Sequence, residues 1–281
     1  MNRAQPGAHL ESPGWSRPLH GARSLAGALW RDPALAPSVR ALLALYLFIY
    51  LWSVPMLMFD LVPTWGSGMG GFLLILQGAL VAIWLANAAG IRGAIAAGAI
   101  LLGSYLVEYV GVTQGVPFGQ YRYTGTLGLQ LGGSVPLAIP FAWLMVVPGA
   151  VMTVARLRRT ALVVPLAALL ATLLDLLIEP VAAYVIDYWQ WIETGPYYGI
   201  PTTNFLAWGG TALVLAYLLW RVAGNLHRQP PVAWLPPLLF TLNAGQFTLV
   251  NAARGFWWPV LVGGVLLLLV WRLRWRRTMT A

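Results

Sequence analysis

The chain has 281 residues, 59% of them hydrophobic and 9% charged, against about 25% charged in a soluble domain, so it reads as a membrane protein. It has no cysteine, and its 17 basic residues are all arginine. Thiolate chemistry, disulfides and cysteine-ligated metals are therefore excluded, as is a retinal Schiff base, which needs a lysine. The three histidines, His9, His20 and His227, lie outside the apolar runs, which excludes a histidine-ligated di-iron centre. The net charge of +9 comes from arginines at helix ends and not from a nucleic-acid surface.

Residues 1–38 mix Pro, Gly, Arg and His without period and lack the layout of a signal peptide. They are expected to form a disordered basic cytoplasmic tail ahead of a transmembrane helical domain over 39–281. Eight apolar runs follow, at roughly 41–59, 72–89, 91–110, 135–155, 161–181, 203–220, 233–250 and 256–272, each near the ~20 residues that span a bilayer. The fold class expected is all-α, a polytopic bundle of about eight spans. With the N-terminus inside, 15 of the 17 arginines fall on inner segments, and only Arg122 and Arg254 fall outside. Both termini are then cytoplasmic, and the compartment expected is a bacterial inner (cell) membrane. The same topology gathers Asp60, Glu108, Asp175, Glu179, Asp187 and Glu193 at the outer ends of the spans.

Glu108 closes the third apolar run. It is followed by a loop punctuated with Pro and Gly that carries Phe118, Tyr121 and Tyr123, and then by Ile139-Pro140-Phe141-Ala142-Trp143. In the fifth run, Asp175 and Glu179 stand at i and i+4 and share one helical face. A carboxylate in hydrocarbon is costly and marks a functional site by default. Two of them this close do not both ionise easily, so one is expected to keep a proton while the other is anionic. Pro180 follows, and the residue before a proline is pushed from helical geometry, so the helix is expected to end or kink at Glu179.

Tyr184, Tyr188, Trp189 and Trp191 come next, their faces suited to a developing carbocation. A second aromatic loop holds Tyr197, Tyr198 and Asn204 and runs on to Trp208. An aromatic belt at the headgroups scatters its residues along the interface, whereas these are gathered in rigid turns, as the wall of a site would be. The order acid, aromatic turn, helix opening with Pro and Trp occurs twice, after Glu108 and after Glu179. This is a faint duplication that would set both halves around one central pocket.

The stretch from Glu108 to Tyr123, the Asp175-x-x-x-Glu179-Pro180 run, the Trp189/Trp191 pair and residues 195–208 resemble an integral-membrane carotenoid biosynthesis family. That family contains the carotenoid 1,2-hydratases of the γ-carotene and lycopene type. The resemblance covers about 100–210 and implies addition of water to the terminal C1=C2 bond of an acyclic carotenoid end group. It implies a lipophilic carotenoid as substrate, membrane lipid as surroundings, and no metal, nucleic acid or other cofactor. It does not specify an oligomeric state. Chemistry assigns Asp175, the deeper acid, as proton donor to C2, and Glu179 or Glu108 as the group that deprotonates the water. Asn204 and Tyr121 hold that water, and Phe118, Tyr121, Tyr123, Trp143, Trp189, Trp191, Tyr197, Tyr198 and Trp208 surround the substrate. Three rivals remain open at this point: a proton-initiated carotene cyclase, a carotenoid-modifying prenyltransferase (which would need a second acidic cluster for magnesium), and a transporter or proton channel.

Overall fold

The computed structural model describes residues 35–66 and 68–276. Most of the tail expected over 1–38 lies outside the described residues. The first helix, α1 (Pro37–Met58), opens on a proline in its first turn, where the missing N–H leaves no backbone bond unmade. Helix α2 (Met69–Gln114) is broken at Gly90 (φ 58°, ψ −139°), a backbone conformation that side chains with a Cβ avoid. Its arms, 69–89 and 91–114, form a hairpin. Gly71 in the first arm lies against the Leu127 carbonyl, and Glu108 in the second bonds to Tyr121 and Tyr123 of the same loop layer. Helices α3 (Ala138–Val154), α4 (Thr160–Tyr184), α5 (Thr202–Val222), α6 (Leu235–Arg254) and α7 (Trp257–Val270) complete the bundle.

The eight apolar runs thus appear as eight helical segments within an all-α polytopic fold. Among the described residues, six helices are long and apolar enough to cross a membrane, with both arms of α2 in one of them. The remaining helix, α6, is more polar because it carries Asn243, Gln246 and Asn251. Helix α3 is the axis of the bundle, with 89% of its most apolar stretch buried, against 11% for α1. The outward residues of α1, such as Phe48, Leu51 and Trp52, are exposed apolar groups, as a lipid-facing helix requires.

The non-helical layer lies at the end of the bundle that carries the acids. Strand β1 (Tyr121–Tyr123) pairs antiparallel with β4 (Trp189–Trp191), in the register Tyr121 to Trp191 and Tyr123 to Trp189. A smaller ribbon pairs β2 (Gln130–Leu131) with β3 (Val135–Pro136). At the opposite end, Arg156 donates to the Arg274 carbonyl and Arg274 to Gln229.

Of the two outcomes expected at Glu179, an end or a kink, the end does not occur: α4 runs through Pro180 to Tyr184. The proline cannot donate to the Leu176 carbonyl four residues back. That carbonyl instead accepts the Tyr197 hydroxyl at 2.9 Å, and the neighbouring Leu177 carbonyl accepts the Asn251 amide at 2.8 Å. Side chains from other elements thus replace the bond the proline removes, which is how such residues are tolerated in membrane helices.

The first arm of α2 approaches α3 closely at Gly78, where a Cβ would stand 2.4 Å from the Phe141 carbonyl oxygen. We predict that Gly78→Leu forces the two helices apart and destabilises the protein by about 1–3 kcal/mol, as overpacking does. Thermal unfolding in detergent measures this, and an unchanged midpoint would refute the close packing.

Candidate active site

Three acids are withdrawn from solvent inside this end of the bundle: Asp175 is 0% exposed, Glu179 2% and Glu108 4%. Glu108 lies six residues before the end of α2 and Glu179 five before the end of α4, depths of about 9 and 8 Å at ~1.5 Å per residue. Among the described residues, no basic side chain is seen to bond to any of them. Each glutamate is instead held by three neutral donors.

Glu108 accepts the Tyr121 hydroxyl (2.7 Å) and the Tyr123 hydroxyl (2.7 Å) on Oε2, and the Trp143 indole N–H (2.9 Å) on Oε1. Glu179 accepts the indole N–H groups of Trp189 (3.1 Å) and Trp191 (2.9 Å) on Oε2, and the Asn204 amide (3.0 Å) on Oε1. Hydrogen bonds to charged groups contribute about 1.5–3 kcal/mol each, so three donors offset much of the cost of burying a carboxylate.

The local sequence explains the pairing. Side chains two apart on a strand point to one face, so Tyr121 and Tyr123 both reach Glu108, and Trp189 and Trp191 both reach Glu179. The intervening Arg122 and Gln190 turn outward and bond to each other, at 2.7 Å from Nη2. Gly111, one turn beyond Glu108, has no side chain; a Cβ there would stand 2.6 Å from the Phe118 ring, so the aromatic loop can fold onto the helix. The Tyr121 and Tyr123 hydroxyls are pushed well above the usual tyrosine range, first by burial and then by the Glu108 charge beside them. They therefore stay neutral O–H donors.

Asp175 is placed differently. The Asn204 amide nitrogen donates to Asp175 Oδ2 at 3.0 Å as well as to Glu179, so one neutral group bridges two carboxyls. Asp175 Oδ1 is buried with no hydrogen-bond partner.

A cavity of about 70 Å³ lies between the two glutamates and their donors, room for several waters or the last few carbons of a chain. Its wall includes Glu108, Phe118, Tyr121, Tyr123, Trp143, Glu179, Trp189, Trp191, Asn204 and Trp208. Trp143 and Trp208 stack at 4.1 Å between ring centres, and Tyr121 leans on Trp191 at 5.2 Å. Ten of the thirteen residues picked out in the sequence therefore meet at one cavity.

The other three do not line it. Asp175 lies one layer behind, beyond Asn204. Tyr197 is occupied with the Leu176 carbonyl, and Tyr198 packs edge-on against Phe256 while its carbonyl accepts the Tyr184 hydroxyl. Both tyrosines brace the loop and do not wall the cavity.

Tyr188, noted in the sequence among the aromatics suited to a cation, also lines the cavity, and the sequence reading missed Leu74, Phe247 and Asn243, which line it too. Asn243 donates to Gln77 Oε1 at 2.8 Å and to the Leu239 carbonyl at 2.9 Å. A signal was available, since Gln77 and Asn243 are amides inside apolar runs, where polar groups carry the same significance as acids. Among the described residues, no group of three or more His, Cys, Asp or Glu is placed to hold a metal ion.

Residues 69–270 match a family described as "Carotenoid biosynthesis protein". A curated relative, the bisanhydrobacterioruberin hydratase of Haloarcula japonica, is 35% identical over 133 residues, which are 45% of this chain and 45% of that protein. The match thus spans less than half of the relative's length. No solved structure matches the chain.

Because Asn204 is the one donor to Asp175 among the described residues, we predict that Asn204→Leu destabilises the protein strongly. It orphans two buried carboxyl oxygens at about 1–3 kcal/mol each. Trp191→Phe leaves Glu179 Oε2 bonded to Trp189 and should cost less, about 1–2 kcal/mol. Thermal midpoints that fall in the reverse order would refute the bridging role of the amide.

Proposed function

The chain belongs to the carotenoid biosynthesis protein family, and from that premise we propose that it is a carotenoid hydratase of the cell membrane. It adds water across the terminal C1=C2 bond of an acyclic end group, as in lycopene or γ-carotene, and leaves a tertiary alcohol at C1. The observation that carries this reading is the pair of glutamates facing one small aromatic cavity, each set in neutral donors. Their two positions answer the two proton transfers of a hydration. The hydratase named among its relatives supports the same class of reaction.

The chemistry divides among the residues as follows. Asp175, with a single donor and an unpartnered oxygen, carries the stored proton; Glu108 and Glu179, with three donors each, hold the negative charge. Glu179 faces the cavity and Asp175 does not, so the proton passes through Glu179 to C2. The C1=C2 π pair forms the new C2–H bond and leaves a tertiary cation at C1. The faces of Tyr121, Trp191 and the Trp143–Trp208 stack stabilise it, each by about 1–2 kcal/mol when desolvated. Water then attacks C1, and Glu108 takes its proton. The count closes when Glu108 returns that proton to the Asp175/Glu179 pair through the waters of the cavity. A cyclase shares the first step but quenches the cation with an internal double bond and then loses a ring proton to a base, so its product has the mass of the substrate and the hydratase's product is heavier by one water.

Expression in a lycopene-producing bacterial host, with chromatography and mass spectrometry of the pigments, tests this. We expect a more polar pigment heavier by one water, and, in D2O, one non-exchangeable deuterium at C2. Glu179→Gln and Glu108→Gln should each lower turnover by about 10²-fold or more, as loss of a general acid or base does. Asp175→Asn should also abolish most product while the protein still inserts in the membrane. A pigment of unchanged mass would mean cyclisation, and full activity in Glu108→Gln would remove the assigned base.

A further inference from the structure

The reaction cavity is too small for the substrate, so the rest of the chain must lie elsewhere. A C40 polyene is a rod about as long as the ~30 Å thickness of the hydrocarbon core, whereas the cavity measures about 70 Å³. A second cavity of about 310 Å³ adjoins it, between α1, the first arm of α2 and α6. The two share Leu74, Tyr188, Asn243 and Phe247 in their walls, so they adjoin across these four side chains. At its outer rim stand Phe48 and Trp52 of α1, 64% and 53% exposed, on the lipid-facing side of the bundle. At its inner end, the Asn243 amide donates to Gln77 Oε1 and to the Leu239 carbonyl.

Resting on the hydration reading, we propose that this groove is the binding channel for the polyene chain of the substrate. The carotenoid slides in from the lipid between α1 and the first arm of α2. Its reacting end passes Asn243 and Tyr188 into the space between the glutamates, and the remainder stays in the groove and the surrounding lipid. The volume, at the low end of the 300–1,000 Å³ of ligand sites, suits a stretch of chain and not the whole molecule. A larger groove of about 700 Å³, between the second arm of α2 and α5, shares no residue with the reaction cavity and serves as the control.

The test uses the full chain in detergent with two substrates: a full-length acyclic carotene and a short acyclic isoprenoid hydrocarbon bearing the same end group. Ser53→Trp and Met56→Trp fill the groove from α1; Gly210→Trp fills the control groove. Bound pigment is read by visible absorbance, and KM and kcat are measured for both substrates. Each groove variant should lose most of its bound carotene and raise KM for it by about tenfold or more, with the short substrate's kcat within about twofold of wild type. Gly210→Trp should change neither.

If folded groove variants keep wild-type KM and pigment, or if Gly210→Trp alone shows the effect, the channel is overturned while hydration stands. If the wild type binds carotene and loses it on groove substitution but never converts it, the channel stands and hydration falls. If it neither binds nor converts carotene, both fall. Size-exclusion profiles check folding, and Ser53→Leu replaces any tryptophan variant that fails to insert.

Discussion

Two glutamates buried in an apolar bundle, with no basic partner among the described residues, set the terms for everything around them. An unsolvated carboxylate must be met by donors, and an arginine there would form a tight ion pair and fill the space. This chain meets the need with six hydrogen bonds from neutral groups: two phenols, three indoles and an amide. Phenols and indoles suit the role because each joins one polar atom to a large apolar body. The same side chains that hold the charge therefore also make the greasy, π-faced wall that an alkene and its cation require. The electrostatic and hydrophobic requirements of the site are satisfied by one set of residues.

The arrangement is built twice. A helix presents a glutamate near its end; a short strand returns two aromatic donors at alternate positions; the next helix adds a third donor from Trp143 or Asn204. The two copies meet along the β1–β4 ribbon and in the stack of Trp143 on Trp208. Asp175 breaks the likeness, for the first copy has Ser104 at the matching place, four residues before Glu108. Ser104 bonds back to the carbonyls of its own helix. The added acid distinguishes the half to which the stored proton is assigned from the half assigned the water.

Much of this was legible in the chain. The eight apolar runs and the acids within them are local signals read from hydropathy and transfer cost. The clustered aromatics identified the walls of the cavity because a scattered belt would look different. What escaped depends on contacts distant in sequence. Whether Pro180 ends a helix turns on Tyr197 and Asn251, which take up the neighbouring carbonyls. That Asp175 sits behind Asn204, off the cavity wall, is decided by packing between α4 and α5. The pairing of three-residue strands nearly seventy positions apart has no local pattern to announce it. The Gln77–Asn243 contact was readable in part, since amides within apolar runs are conspicuous once uncharged polar groups are considered alongside acids.

The neutrality of the donors has a consequence for the setting in which the protein can operate. Ion pairs weaken as dissolved salt accumulates, because mobile ions screen them over a length that shrinks to about 3 Å at 1 M. Phenol, indole and amide groups bring no formal countercharge to be screened, and the acids they hold are almost wholly removed from contact with electrolyte. The two carboxyl groups are thereby insulated from the ionic strength around the bundle. The same constellation would keep its geometry in dilute and in concentrated brine, leaving only the exposed rim, with Arg254 and Asp60 paired at 3.1 Å, to register the difference.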